Sequence, residues 1–180
     1  MTTEVVPPVD VIKAQLDKLR DYGKSTEAER YIVLRDISSN MSSSIEGRRC
    51  YVTLGVIPIM MKLLTCNLSI QLEEFVFHII KTVARYFPER VMTAGFMEYA
   101  IEKLKSCPFP LHERMICAIL VVILDHDPWL YRREFRYLQI EGAIRNLRAN
   151  VYRFRLQEKL KEPSATEIYC HWLCSLFKRS

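Results

Sequence analysis

Apolar residues recur every three or four positions along most of this chain, the period of amphipathic helices. In VDVIKAQLDKLRDY, residues Val9, Ile12, Leu16 and Leu19 share one face, and Gly23 stands where a helix stop belongs. GVIPIMMKLL, from Gly55 to Leu64, places Val56, Ile59, Met60, Leu63 and Leu64 on one face. Longer amphipathic segments are STEAERYIVLRDISS, IQLEEFVFHIIKTVARYF and HERMICAILVVILDHD. The stretch from Thr166 to Phe177 carries Ile168, Trp172, Leu173, Leu176 and Phe177.

The breaks between these segments have mechanisms of their own. Thr26 with Glu29, and Ser164 with Glu167, have the spacing of a capping box. Pro88 after Phe87, and Pro128 after Asp127, suit the first position of a helix, where a missing N–H costs little. CPFP, from Cys107 to Pro110, forces a turn. NMSSS, from Asn40 to Ser44, has loop composition and could accept phosphate on a serine.

The pattern also repeats. GFMEYAIEKL from Gly95 and GAIRNLRANV from Gly142 match GVIPIMMKLL in their apolar placement, at spacings of 40 and 47 residues. Each is preceded by a long helix, a breaker and a short helix, and a period near 40–47 is that of helical solenoids. The helices at the two ends would then cap the open apolar faces of the stack.

GVIPIMMKLL resembles the last helix of an armadillo repeat, which the family commonly spells G-x-I-P-x-L-v-x-L-L. The likeness covers roughly residues 10–177 by architecture and Val56 to Leu64 by letter. It implies an all-α, armadillo-like right-handed solenoid of about three repeats with capping helices, in one domain over residues 9–178 behind a flexible segment 1–8. An irregular helical bundle is the alternative. The glycine would sit at a sharp junction between short helices, with Pro58 in the first turn that follows. Armadillo proteins that capture nuclear-import signals use a tryptophan and an asparagine four residues apart on the third helix of each repeat. The matching positions here are Ile32 and Asp36, Phe77 and Lys81, and Ala118 and Val122, so that ladder is missing.

Composition agrees with a helical chain: 180 residues, 49% hydrophobic, 26% charged, and only 5 glycines. The longest apolar run, Met115 to Leu124, is half of what a bilayer span needs and reads as a buried core helix. MTTEVVPPVD lacks the basic and apolar blocks of an export signal, so six reduced cysteines and a cytoplasmic or nuclear setting are expected.

Chemistry is sparse. Asp125, His126 and Asp127 are adjacent and cannot all face one ion, and capping explains them better. Cys170 and Cys174 in YCHWLC share a helical face without a second metal-binding cluster. No nucleophile elbow or phosphate loop occurs. No enzyme activity, metal or cofactor is therefore expected.

Charge is more informative. Residues 132–161 hold nine basic residues against Glu134, Glu141 and Glu158, a net of +6. Arg145, Arg148, Tyr152, Arg155 and Lys159 follow a 3, 4, 3, 4 spacing and form one stripe. Either a solvated helix face or an acidic partner accounts for it. Tyr131, Phe135 and Tyr137 interleave with the arginines just before it, and a core role covers some of them. The expected function is a protein-interaction module that docks a helix or an extended, acidic segment. Its contacts would be Arg35, Glu73 and Lys81 on the third helices, together with the stripe. The alternative is an accessory protein that binds nucleic acid or another phosphate-rich partner through 132–161.

Overall fold

Short-range chemistry marks the start of several helices. The computed structural model describes residues 6–106 and 110–178. Among them are eleven helices and no strand. They run α1 Val9–Arg20, α2 Glu27–Ser43, α3 Ile45–Thr53, α4 Val56–Leu63, α5 Ile70–Tyr86 and α6 Pro88–Thr93, then α7 Phe96–Ser106, α8 Pro110–His126, α9 Pro128–Tyr137, α10 Ile140–Gln157 and α11 Ala165–Lys178. Of the segment 1–8, residues 1–5 lie outside the described residues, as do Cys107, Pro108 and Phe109 of the CPFP turn.

Thr26 and Glu29 close a full capping box at α2. Asp127 accepts from the N–H groups of Trp129 and Leu130, with Pro128 at the first position of α9. Pro88 likewise takes the first position of α6, there without a side-chain cap from Phe87.

The chain forms two compact units, residues 1–94 and 95–180. In the first, α2 lies against α5, while α1 touches α2, α3 and α4. Leu16, Leu34, Ile37, Met60, Val76, Phe77 and Ile80 fill its interior. Arg48 is buried there. Its Nη1 donates to the Met41 carbonyl at 2.9 Å, and its guanidinium lies 4.1 Å from the Tyr86 ring centroid. Tyr51 donates to Gln15 Oε1 at 2.6 Å and accepts from Asn40 Nδ2 at 3.2 Å. In the second unit, α11 packs against α8 and α10, and α7 against α8 and α10. Its interior includes Phe96, Ile116, Ile119, Leu120, Phe135 and Ile144. The Met115–Leu124 run is mostly buried, with Met115, Val121 and Val122 half-exposed. No described helix is long and apolar enough to cross a membrane.

The junction before α4 has the geometry that its glycine suggests. Leu54 sits near φ −82°, ψ 3°, and Gly55 follows in the left-handed region at φ 85°. Leu54 N–H donates to the Cys50 carbonyl and Gly55 N–H to that of Val52. Gly95 takes φ 86° before α7. The third junction departs from expectation. Gly142 lies inside α10, and the left-handed residue is Gln139, at φ 58°. Leu138 donates to Glu134 and Gln139 to Arg136, the same bonds as at Leu54 and Gly55. The apolar positions then fall into register, with Val56, Ile59, Met60 and Leu63 matched by Ile140, Ala143, Ile144 and Leu147. Glutamine pays a strain of roughly 1 kcal/mol for this conformation.

Two further expectations are corrected. Asn40–Ser43 is the last turn of α2, not a loop. Ser42 and Ser43 satisfy their hydroxyls on the carbonyls of Ser38 and Asn40, and Met41 is buried, so a serine-rich sequence stays helical. The chain turns at Ser44 alone, whose Oγ caps α3 by accepting from Gly47 N–H. Meanwhile α1 ends at Arg20, before Gly23, and Gly23 does not adopt a positive φ. Lys24 N–H closes a turn onto the Asp21 carbonyl instead.

Candidate interaction site: the groove between the last two helices

The amphipathic period of α10 buries Ile144 and Leu147 and turns Arg145, Arg148, Tyr152 and Arg155 toward α11. Between the two helices runs a groove of about 670 Å³, lined also by Pro163, Glu167, Ile168, His171 and Cys174. Four of the five stripe positions therefore come together as one wall of this groove.

Each arginine in the wall has its own partner. Arg145 reaches back one turn to Glu141, with Nε 2.9 Å from Oε1, and this bond holds its guanidinium still more firmly in the charged form. Arg155 Nε donates to Glu167 Oε2 at 2.9 Å, with only 22% and 12% of the two side chains exposed. Its guanidinium also stands 5.2 Å from the Tyr152 ring centroid. Arg148 Nη2 lies 3.0 Å from His171 Nδ1. Guanidinium can only donate, so Nδ1 is the acceptor and the imidazole is neutral with its proton on Nε2. Burial pushes the Cys174 thiol up, and a hydrogen bond from Arg148 works against that rise. Of the three arginines, Arg148 is the one whose partner here is an uncharged ring.

Lys159 does not join the wall. α10 ends at Gln157, and Lys159 occupies the left-handed position of the helix stop, at φ 53°. Lys159 N–H donates to Leu156 and Leu160 N–H to Arg155, the paired bonds of a Schellman motif. The 3, 4, 3, 4 spacing runs past the helix because spacing alone carries no stop signal.

The other expected contacts lie in the first unit. Arg35 on α2 is exposed and bonds Asp36 Oδ1 at 2.9 Å through Nη2. Glu73 and Lys81 are half-buried on α5. Phe77, at the ladder position, is fully buried in the core.

The half of the groove that spacing does not reveal comes from α11. Ser164 caps α11 through its Oγ, 3.2 Å from Glu167 N–H, but the Glu167 carboxylate turns to Arg155 instead of completing the capping box. His171 points away from Cys170, as their adjacency on a helix requires, and finds Arg148. Cys170 faces inward, its Sγ 3.7 Å from Cys117 Sγ, and the hydrogen bond between the two thiols, together with burial, raises the Cys117 thiol well above its ordinary value. On α9, Tyr131 and Phe135 are buried, whereas Trp129 and Tyr137 are 82% and 84% exposed. No three His, Cys, Asp or Glu side chains converge to hold a metal among the described residues.

Together these features define an all-helical protein with a basic groove between its last two long helices. No protein-family model matches the chain, and no curated protein matches it.

Proposed function

We propose that this chain is a non-catalytic, armadillo-like interaction module that docks an acidic partner segment in the α10–α11 groove. The observation that carries this reading is the groove itself. Three guanidinium groups from one helix face a concave surface whose other lining includes Ile168, Pro163 and Tyr152. Such a wall fits a peptide that combines negative charge with one or two apolar side chains. The recurring left-handed junctions at Gly55, Gly95 and Gln139 support the armadillo-like reading. The setting is cytoplasmic or nuclear.

The test is capture of partners from cell extract by the tagged full chain, compared with Arg148→Glu. Loss of at least tenfold of a specific partner is expected, at an unchanged melting temperature. A partner set that is indifferent to Arg148→Glu would overturn the reading.

A second reading has its own observation. Trp129, Arg133 and Tyr137 follow one another at four-residue spacing on α9, and both aromatic rings are almost fully exposed. Stacked bases and backbone phosphates suit such a face. Binding of single-stranded RNA that falls steeply with added salt, and is lost in the double variant Trp129→Ala with Tyr137→Ala, would favour it.

A further inference from the structure

Arg148 and His171 form a pair whose charge state can follow that of a ligand. Arg145 and Arg155 are each matched by a carboxylate, Glu141 and Glu167. Arg148 is bonded to a neutral imidazole that accepts through Nδ1. With Glu141 and Glu167 both counted, three guanidinium groups stand against two carboxylates, and the surplus positive charge sits at Arg148.

We infer that the Arg148–His171 pair is a seat for a phosphoryl group on a side chain of the docked segment. This rests on the groove being the docking surface. A phosphomonoester carries −1.5 to −2 charges near neutral pH. A dianion between the two side chains draws the Arg148 fork away from Nδ1 and favours a proton there. His171 then becomes a second donor, and the pair presents two positive charges to the ligand's two negative ones. A carboxylate, with one charge, is satisfied by Arg148 alone and leaves His171 neutral.

The other titratable groups that line the groove beside His171 are consistent with this. From α10 come Arg145, Tyr152 and Arg155, and from α11 itself Glu167 and Cys174. α8 and α9 also pack on α11 but supply none of the groove lining, and Cys117 meets Cys170 on the buried side.

The experiment is a titration of the full chain, labelled in its histidine rings, with inorganic phosphate at pH 7 and with acetate at equal ionic strength. The His171 signals are assigned by their loss in His171→Gln. Phosphate is expected to move them in the direction of protonation, saturating at a concentration at least fivefold below that for acetate. Arg148→Gln should raise the phosphate midpoint at least fivefold, and Arg49→Gln on α3, an exposed arginine outside the groove, should leave it unchanged. If Arg148→Gln fails to fold, Arg148→Lys, which keeps the charge and loses the fork, should still weaken phosphate binding. Equal response to phosphate and acetate, or a midpoint indifferent to Arg148, overturns the inference.

The two readings fail separately. If phosphate fails these tests while Arg148→Glu still loses its partner, docking stands and the phosphoryl seat falls. If phosphate passes while every partner is kept, the pair stands as a phosphate site, but the docking reading falls and with it the docked segment as the source of the phosphoryl group.

Discussion

Arg155 on α10 and Glu167 on α11 are joined at 2.9 Å, and the bond ties the two walls of the groove together where both side chains are largely shielded from water. Glu167→Gln leaves a half-buried guanidinium without its counter-charge. A loss of about 1.5–3 kcal/mol in unfolding free energy is expected by denaturant titration, the range for a hydrogen bond to a charged group. Exchanging the partners, Arg155→Glu with Glu167→Arg, should recover most of it.

The two kinds of junction respond in opposite directions. Gly55→Ala places a Cβ at φ 85° and should cost about 1 kcal/mol, although nothing lies within 4 Å of that Cβ. Gln139→Gly relieves strain at φ 58° and should stabilise by up to about 1 kcal/mol. Gly142→Ala, inside α10 with open space around its Cβ, should stabilise by about 0.5–1 kcal/mol. Thermal melts of the three variants check all three signs, and a destabilised Gly142→Ala would remove it from the helix interior.

Arg48 serves structure, not recognition. Arg48→Ala strands the Met41 carbonyl and empties the space above Tyr86, with an expected loss of about 2–3 kcal/mol. Arg49→Ala, one residue along on the exposed side, should change stability by less than about 0.5 kcal/mol.

Glu113 on α8 has its carboxyl pushed above its ordinary value of 4.5 by burial. A folded-state value above the unfolded one means that the stability it contributes is complete below pH 4.5 and is lost as pH rises through the folded value. Glu113→Gln should therefore be more stable than the parent at pH 7 and indistinguishable near pH 4. Chemical denaturation at the two pH values tests this, and equal gains at both would refute the burial cause.

Much of the helical architecture was legible because local chemistry fixes helix starts. Thr26 and Asp127 each act through one or two bonds within their own turn, and Pro88 and Pro128 by lacking an N–H where the helix needs none. The third junction was not legible, because the left-handed state belongs to the backbone and Gln139 adopts it without a glycine to mark it. The α10 wall of the groove followed from helical spacing. The α11 wall did not, since Glu167 and His171 reach Arg155 and Arg148 across 12 and 23 residues of sequence. Arg48, within the unremarkable IEGRR, is buried because the α3 period carries it inward beside Tyr51.

The one-residue joint at Ser44 leaves the first unit no slack. A Cβ on Gly47 would already lie 3.2 Å from the Asn40 carbonyl, so α2 and α3 meet at close quarters around that serine. Adding one residue within α3, ahead of Arg48, would rotate the residues that follow by about 100° and swing Arg48 and Tyr51 out of the interior. The connection from Thr65 to Ser69, which has no helix of its own, can absorb the same insertion in its exposed residues. The first unit therefore tolerates added length in the α4–α5 loop, and in the exposed α1–α2 connection over 21–26, better than at Ser44, and a tag or reporter spliced into the α4–α5 loop should leave the unit folded.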